Sequence, residues 1–317
     1  MRSYDTRRTL IKKFITFMAG FGLKGLGFTK GKEMKKIEHI ITQGQKHWVG
    51  DGFHVQTMIH PSPGLYKFTN PFILLDYAQP KSFPPTEKRR GVGEHPHRGF
   101  ETVTFAFEGE VEHRDSAGGG GVIKTGDVQW MTAASGLVHD EFHSTDFSKT
   151  GGLFEMVQLW VNLPKDKKMS SPRYQGVKNQ DFPMIENEQT KIKVIAGEFE
   201  GKKGPCKTFT PINLYDIRQK SNDSMALTLK KDTNTLVLVR KGKVKIGNKT
   251  INQGELGILS KADEKLLMDL TKGSEILLLN GEPIDEPIVA YGPFVMNTKE
   301  EIAQAMEDYS NGKMGNL

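Results

Sequence analysis

Apolar residues in this chain come in short runs, not long ones. "FHVQTMIH" (53–60), "PFILLDYA" (71–78), "FETVTFAF" (100–107), "GGLFEMVQLWVNL" (151–163), "KIKVIAGEF" (191–199), "NTLVLVRKGKVKIGNKT" (234–250) and "SEILLLNG" (274–281) are rich in Val, Ile, Phe and Thr. Gly, Pro, Asn and Asp separate them. Many short strands with turns between them predict an all-β sandwich or barrel. "GNK" (247–249) reads as a hairpin tip. One helix is predicted at the end, in "NTKEEIAQAMEDYSNGKMG" (297–315), with Asn297 as N-cap, Ile302, Ala305 and Met306 as its apolar stripe, and Gly312 as its stop.

A faint repetition suggests two copies of one β unit. "EGEVEHRDS" followed by "TGDVQWMTA" (108–133) has the outline of "VRKGKVKIGNKTINQGELGILS" (239–260): strand, Gly, strand, turn, strand. The expected organisation is a leader at 1–36, a first barrel at 37–180, and a second barrel at 181–317 carrying the terminal helix.

Charge changes the picture only at the leader. Residues 1–36 hold ten Lys and Arg against Asp5 and Glu33, a net of +8. The whole chain is +6, so the remainder is −2 and has no footprint for phosphate backbones. Direct nucleic-acid binding is not expected. Arg7 and Arg8, ahead of the apolar "FITFMAGFGL" (14–23), resemble a twin-arginine export signal, which predicts a periplasmic or exported protein. A basic tail, or a start at Met34 with a cytoplasmic protein, is the alternative. No run of about 20 apolar residues follows, so no membrane span is expected in the body.

Cys206 is the only cysteine, which excludes an intrachain disulfide and a thiolate cluster. Imidazole is a different matter. All nine histidines lie between His39 and His143, and the last 174 residues have none. Two of them open "GEHPHRGFETVTF" (93–105). Residues two apart on a strand face the same side, so His95, His97 and Glu101 share parity. "ASGLVHDEFHS" (134–144) repeats the alternation with His139, Glu141 and His143. Two such strands converging in a barrel make a metal site of three imidazoles and a carboxylate. That donor set suits Fe, Mn, Co, Ni, Cu or Zn. Pro96 fixes φ, and its missing N–H places it at a sheet edge or a strand start. His113, in "EHRD", reads as a turn residue near a charged hairpin tip. Trp130, Met131, Phe105 and Phe107 are candidates for an apolar pocket wall, with plain core packing as the competing role.

"HPHRGFETVTF" followed by "GDVQWMTAASGLVHDE" resembles the pirin family of the cupin superfamily, as do "QLWVNLP" (158–164) and "GPFVMNTKEEIAQAMEDYSNGKMG" (292–315). The resemblance covers most of 37–315 in order. It implies two stacked cupin barrels, a bicupin, with one Fe(2+) in the first, held by His95, His97, His139 and Glu141; Mn, Co, Ni, Cu and Zn are the other divalent ions to consider. The wider cupin pattern selects Glu101 as the carboxylate. The pirin pattern selects Glu141 and leaves Glu101 as a pocket wall or a group behind the ligands. His143 stands where many cupins have Asn, as a partner orienting a ligand or a rim residue. Some pirins resemble flavonol dioxygenases that open quercetin with molecular oxygen, which implies an aromatic or enediol substrate and Glu141 as the catalytic base. Others resemble iron-dependent redox sensors that bind protein partners, the alternative function.

Overall fold

The alternating pattern folds into short antiparallel strands. The computed structural model describes residues 34–317 except 43, 45 and 262, so the twin-arginine reading of Arg7 and Arg8 lies outside the described residues. In the first half the strands are β1 (Ile37–Ile41), β2 (Lys46–Val49), β3 (Phe53–Ile59), β4 (Phe72–Phe83), β5 (Gly91–His97) and β6 (Phe100–Glu108). They continue with β7 (Val111–Asp115), β8 (Gly120–Ile123), β9 (Val128–Thr132), β10 (Leu137–His143), β11 (Gly152–Asn162) and β12 (Arg173–Val177). Helices α1 (Pro63–Thr69) and α2 (Thr145–Thr150) lie in this half. The second half has β13 (Met184–Glu186), β14 (Thr190–Ala196), the small hairpin of β15 (Glu198–Phe199) and β16 (Lys202–Lys203), β17 (Ile212–Gln219) and β18 (Asp223–Thr228). It goes on with β19 (Asn234–Lys241), β20 (Lys243–Ile246), β21 (Lys249–Asn252), β22 (Leu256–Leu259), β23 (Lys265–Leu270) and β24 (Glu275–Gly281). The chain ends with the hairpin β25 (Val289–Tyr291) and β26 (Phe294–Met296), then helix α3 (Lys299–Ser310). No described helix is long and apolar enough to cross a membrane.

The faint repeat is a structural repeat. The first half has a large sheet, β12-β9-β6-β11-β4-β3-β2, and a small one, β5-β10-β7-β8. The second half has β1-β22-β19-β24-β17-β14-β13 and β18-β23-β20-β21. The two lists match strand for strand, as two cupin units require. Two terminal segments cross the expected division at residue 180. β1 pairs with β22 in the second unit, in the place that β12 takes beside β9 in the first. The open ladder of an edge strand is what draws a distant segment across. At the other end, β26 and α3 pack on the first unit, with Val138, Phe294, Met296, Ile302, Ala305 and Met314 in one cluster. Residues 35–317 therefore form one compact unit.

Alternation decides which face sees what. On β6, Val103, Phe105 and Phe107 join Trp130 of β9 against Leu236 and Leu238 of β19 and Leu277 and Leu279 of β24, the layer shared by the two large sheets. Burying a side chain of this size contributes about 1.5–3 kcal/mol, so this layer holds the halves together. The even positions of β6 face the small sheet of their own unit. In the second unit the corresponding interior is apolar: Met225 lies opposite Met268 and Leu227 opposite Leu266, within one core cluster. That unit is filled where the first unit carries histidines.

Helix α3 begins one residue later than expected. Thr298, not Asn297, is the N-cap, and it forms a capping box with Glu301. Ile302 and Ala305 are buried as predicted, while Met306 is exposed. The buried face is completed by Asp308, which accepts a 2.8 Å hydrogen bond from Arg98.

Candidate metal centre

β5 and β10 are antiparallel neighbours, with His95 opposite His139 and His97 opposite Leu137. His95 and His97 face the same way because they are two apart. Ring centroids lie 4.2 Å apart for His95 and His139, 4.8 Å for His97 and His139, and 4.8 Å for His95 and His97. One ligand nitrogen of each ring lies within 4.8 Å of the others. β5 is the edge strand of its sheet, so Pro96 interrupts no ladder there.

Each ring is held from behind. Nδ1 of His95 is 2.8 Å from the carbonyl of Gly93, and Nδ1 of His97 is 3.3 Å from that of Pro293. A carbonyl only accepts, so both rings carry their proton on Nδ1 and present Nε2 as a bare lone pair. Nδ1 of His139 is 3.3 Å from Nδ1 of His113, and its Nε2 is buried with no partner among the described residues. An unpaired buried polar atom costs about 1–3 kcal/mol, and a cation against it removes that cost. Burial, then the neighbouring imidazoles, pushes His97 and His139 well below the ordinary imidazole value. The neutral form is the one a metal takes.

Glu141 follows on β10, past a register shift that separates it from His139. One ligand atom of Glu141 lies within 4.8 Å of those of His113 and His139. Gln129 Nε2 donates to its Oε1 at 2.7 Å and Gln158 Nε2 to its Oε2 at 3.2 Å. Thr104 accepts from Gln129 at 3.0 Å and donates to Gln158 Oε1 at 2.6 Å, which fixes both amides. Hydrogen bonds to both oxygens fix the orientation of the carboxylate. No thiolate can compete, because Cys206 sits in the shared layer and burial pushes its thiol up to about 12. Three imidazoles beside a carboxylate are built for a divalent transition metal.

Five of the expected pocket residues lie elsewhere. Counting parity from His97 to Glu101 fails because β5 and β6 are not one strand. Gly99 between them has φ +89°, and a Cβ there would lie 1.9 Å from the carbonyl oxygen of Val295. Only glycine fits both conditions. Past it the parity is reversed. Glu101 is 1% exposed, accepts from Thr132 Oγ1 at 2.7 Å, and lies 3.8 Å from Arg173. Glu101, Phe105 and Phe107 share parity against Thr104, which faces Glu141, and Phe105, Phe107 and Trp130 belong to the layer between the two large sheets. His143 stands apart too: its Nε2 donates to the Gly52 carbonyl at 2.9 Å, and Phe53, Phe83, Phe147 and Phe154 surround its ring. Met131, at the parity of Gln129, does lie on the metal side, beside Leu137 and Tyr174.

Several neighbours of the centre are absent from the sequence reading. Phe100 and Trp160 pack with ring centroids 4.2 Å apart and planes tilted by 32°, and flank His97 at 5.0 and 5.3 Å. Thr104, Gln129 and Gln158 hold Glu141, and the even parity of β6 was the signal for Thr104. His113 is not a turn residue at a hairpin tip: it is 1% exposed, on β7 directly opposite Glu141.

The family model described as Pirin matches residues 52–161, and the Pirin C-terminal cupin domain matches residues 214–315. A Pseudomonas aeruginosa protein named "Putative quercetin 2,3-dioxygenase" is 47% identical over 282 residues, covering 88% of this chain and 98% of its own. A tomato (Solanum lycopersicum) pirin-like protein is 36% identical over 294 residues, covering 88% of this chain and 92% of its own. The crystal structure of a quercetin 2,3-dioxygenase from Acinetobacter baumannii is 46% identical and superposes with a TM-score of 0.86, covering 90% of this chain and 99% of that one. With the histidine-bearing first half and histidine-free second half that its sequence suggested, the chain belongs to the pirin family of bicupins.

Proposed function

We propose that this chain is a dioxygenase that opens flavonols such as quercetin with molecular oxygen, using one Fe(2+) held by His95, His97, His139 and Glu141. One observation carries the reading: His95, His97 and His139 bring a ligand nitrogen each within 4.8 Å of one another, His139 also joins Glu141 in a second such group with His113, and Nε2 of His139 is buried without a partner among the described residues. The names of the Pseudomonas and Acinetobacter relatives support the reaction class. Iron supplies redox capacity and open coordination positions when bound.

The protein's own groups have separate tasks. Glu141 is the base: it takes the flavonol hydroxyl proton on a carboxylate oxygen. Gln129 and Gln158 donate to its two oxygens and orient it for that transfer. Phe100 and Trp160 give the aromatic substrate an apolar face beside His97. A second part of the proposal rests on the sequence alone: Arg7 and Arg8 direct export. Replacing both with Lys and following the protein between cytoplasm and periplasm tests it.

The central test is metal content with aerobic and anaerobic flavonol turnover on one purified sample. About one iron per chain with oxygen-dependent loss of flavonol is the expected result. Iron without turnover would overturn the enzymatic reading and favour a redox-sensing partner of other proteins.

A further inference from the structure

The side of His139 turned away from the other two rings carries a second, fully buried chain of titratable groups. Nδ1 of His139 meets Nδ1 of His113 at 3.3 Å, and Nε2 of His113 meets Oδ2 of Asp115 at 3.1 Å. The other oxygen of Asp115 accepts the backbone N–H groups of Ala117 and Gly119, each at 2.9 Å. The His113 and Asp115 side chains are 0% and 1% exposed. Tyr174 stacks on His113 with ring centroids 5.1 Å apart and planes at 12°, and its hydroxyl donates to Gln129, the residue that holds Glu141.

With each imidazole carrying a single proton, these contacts leave one consistent set of proton positions. Asp115 accepts from two backbone donors, so it is the anion in the chain, and it takes the Nε2–H of His113. Nδ1 of His113 is then the acceptor, and it takes the Nδ1–H of His139. Nε2 of His139 is left with its lone pair. Metal-bound imidazoles are commonly oriented by a carboxylate or carbonyl on the far nitrogen. Here a second imidazole stands between ligand and carboxylate.

We infer that His113 and Asp115 are positioning residues that fix the tautomer of His139, so that its Nε2 is available to the metal. The inference rests on the three-histidine reading of the centre.

Asp115→Asn keeps the oxygen that serves Ala117 and Gly119 and replaces Oδ2 with an NH2 donor. That forces the His113 proton onto Nδ1, where it opposes Nδ1–H of His139 and drives the His139 proton onto Nε2. His113→Gln retains an acceptor for His139 and a donor for Asp115, whereas His113→Leu retains neither. Two readouts apply to the full chain. Imidazole ¹⁵N shifts of the metal-free protein give the tautomers, and cobalt(II) titration gives the affinity. We expect His139 to be Nδ1-protonated in the native protein and Nε2-protonated in Asp115→Asn. Cobalt affinity should fall by about 10–100-fold in Asp115→Asn and His113→Leu, and stay within about threefold in His113→Gln. A native protein with His139 protonated on Nε2, or an Asp115→Asn variant that binds cobalt normally, would overturn the inference. So would equal losses in His113→Gln and His113→Leu. Expected tautomers in a native protein that takes no cobalt would refute the metal reading while leaving the chain of proton positions in place.

Discussion

Nδ1 of His97 rests 3.3 Å from the carbonyl oxygen of Pro293, 196 residues away in sequence. The segment bearing that carbonyl belongs by sequence to the second unit and by packing to the first. Lys168 ties the same junction together: its ammonium donates to the carbonyls of Gly99 and Val295, and burial brings its pKa down to about 7. The far end of the chain therefore sets the orientation of a candidate ligand. Ile302→Ala removes a buried contact of α3 on the first unit, at a cost of about 2–4 kcal/mol. Cobalt affinity should drop with it, although no ligand is changed. Denaturant unfolding and metal titration check both halves; a destabilised variant with native affinity would show that the Pro293 carbonyl does not orient His97.

His97→Ala should empty the site while the chain still folds. The shared apolar layer and the second core hold the fold without it, because neither includes His97. Metal analysis beside a melt of the metal-free protein decides the matter. Stoichiometric iron in the variant would rule His97 out as a ligand.

The two carboxylates should behave oppositely. Glu141→Gln replaces one acceptor oxygen with a donor facing the amides of Gln129 and Gln158, so metal binding should weaken or turnover should disappear. Glu101→Gln should leave both intact, since Glu101 is at the opposite parity to Thr104 on β6. Metal content and flavonol turnover of the two variants give the comparison, and the reverse order would make Glu101 the ligand.

Glu101 should instead appear in the pH dependence of stability. Burial raises its carboxyl from an ordinary value near 4.5 to about 7, against smaller opposing effects of Thr132 and Arg173. Between those values the folded protein holds a proton that the unfolded chain has lost, so stability falls as pH rises through that window. Glu101→Gln should flatten that fall. Unfolding free energies at pH 5 and pH 8 measure it, and identical slopes would refute it.

His143 has the opposite sign. Its aromatic cage lowers it from 6.5 to about 4, mainly by burial. In that window the unfolded chain binds the proton first, so stability is lost as pH falls. His143→Phe should reduce the loss between pH 6.5 and pH 4 and leave metal content unchanged. A variant without metal would return His143 to the centre.

The sequence by itself determined the all-β class, the two-unit repeat, the terminal helix and the convergence of His95, His97 and His139. These follow from short-range signals: a period of two along strands, turn residues between them, and His-x-His on one face. Tertiary structure decided what those signals do not carry across a turn. Gly99 at positive φ resets parity, which moved Glu101 and Phe105, with Trp130 beside them on β9, to the layer between the sheets and brought Thr104 and Gln129 to Glu141. Pairing over long separations decided that β1 completes the second unit, that Pro293 reaches His97, and that His113 lies buried against His139. A single sequence shows which residues can share a face; only the folded sheets fix which face meets which.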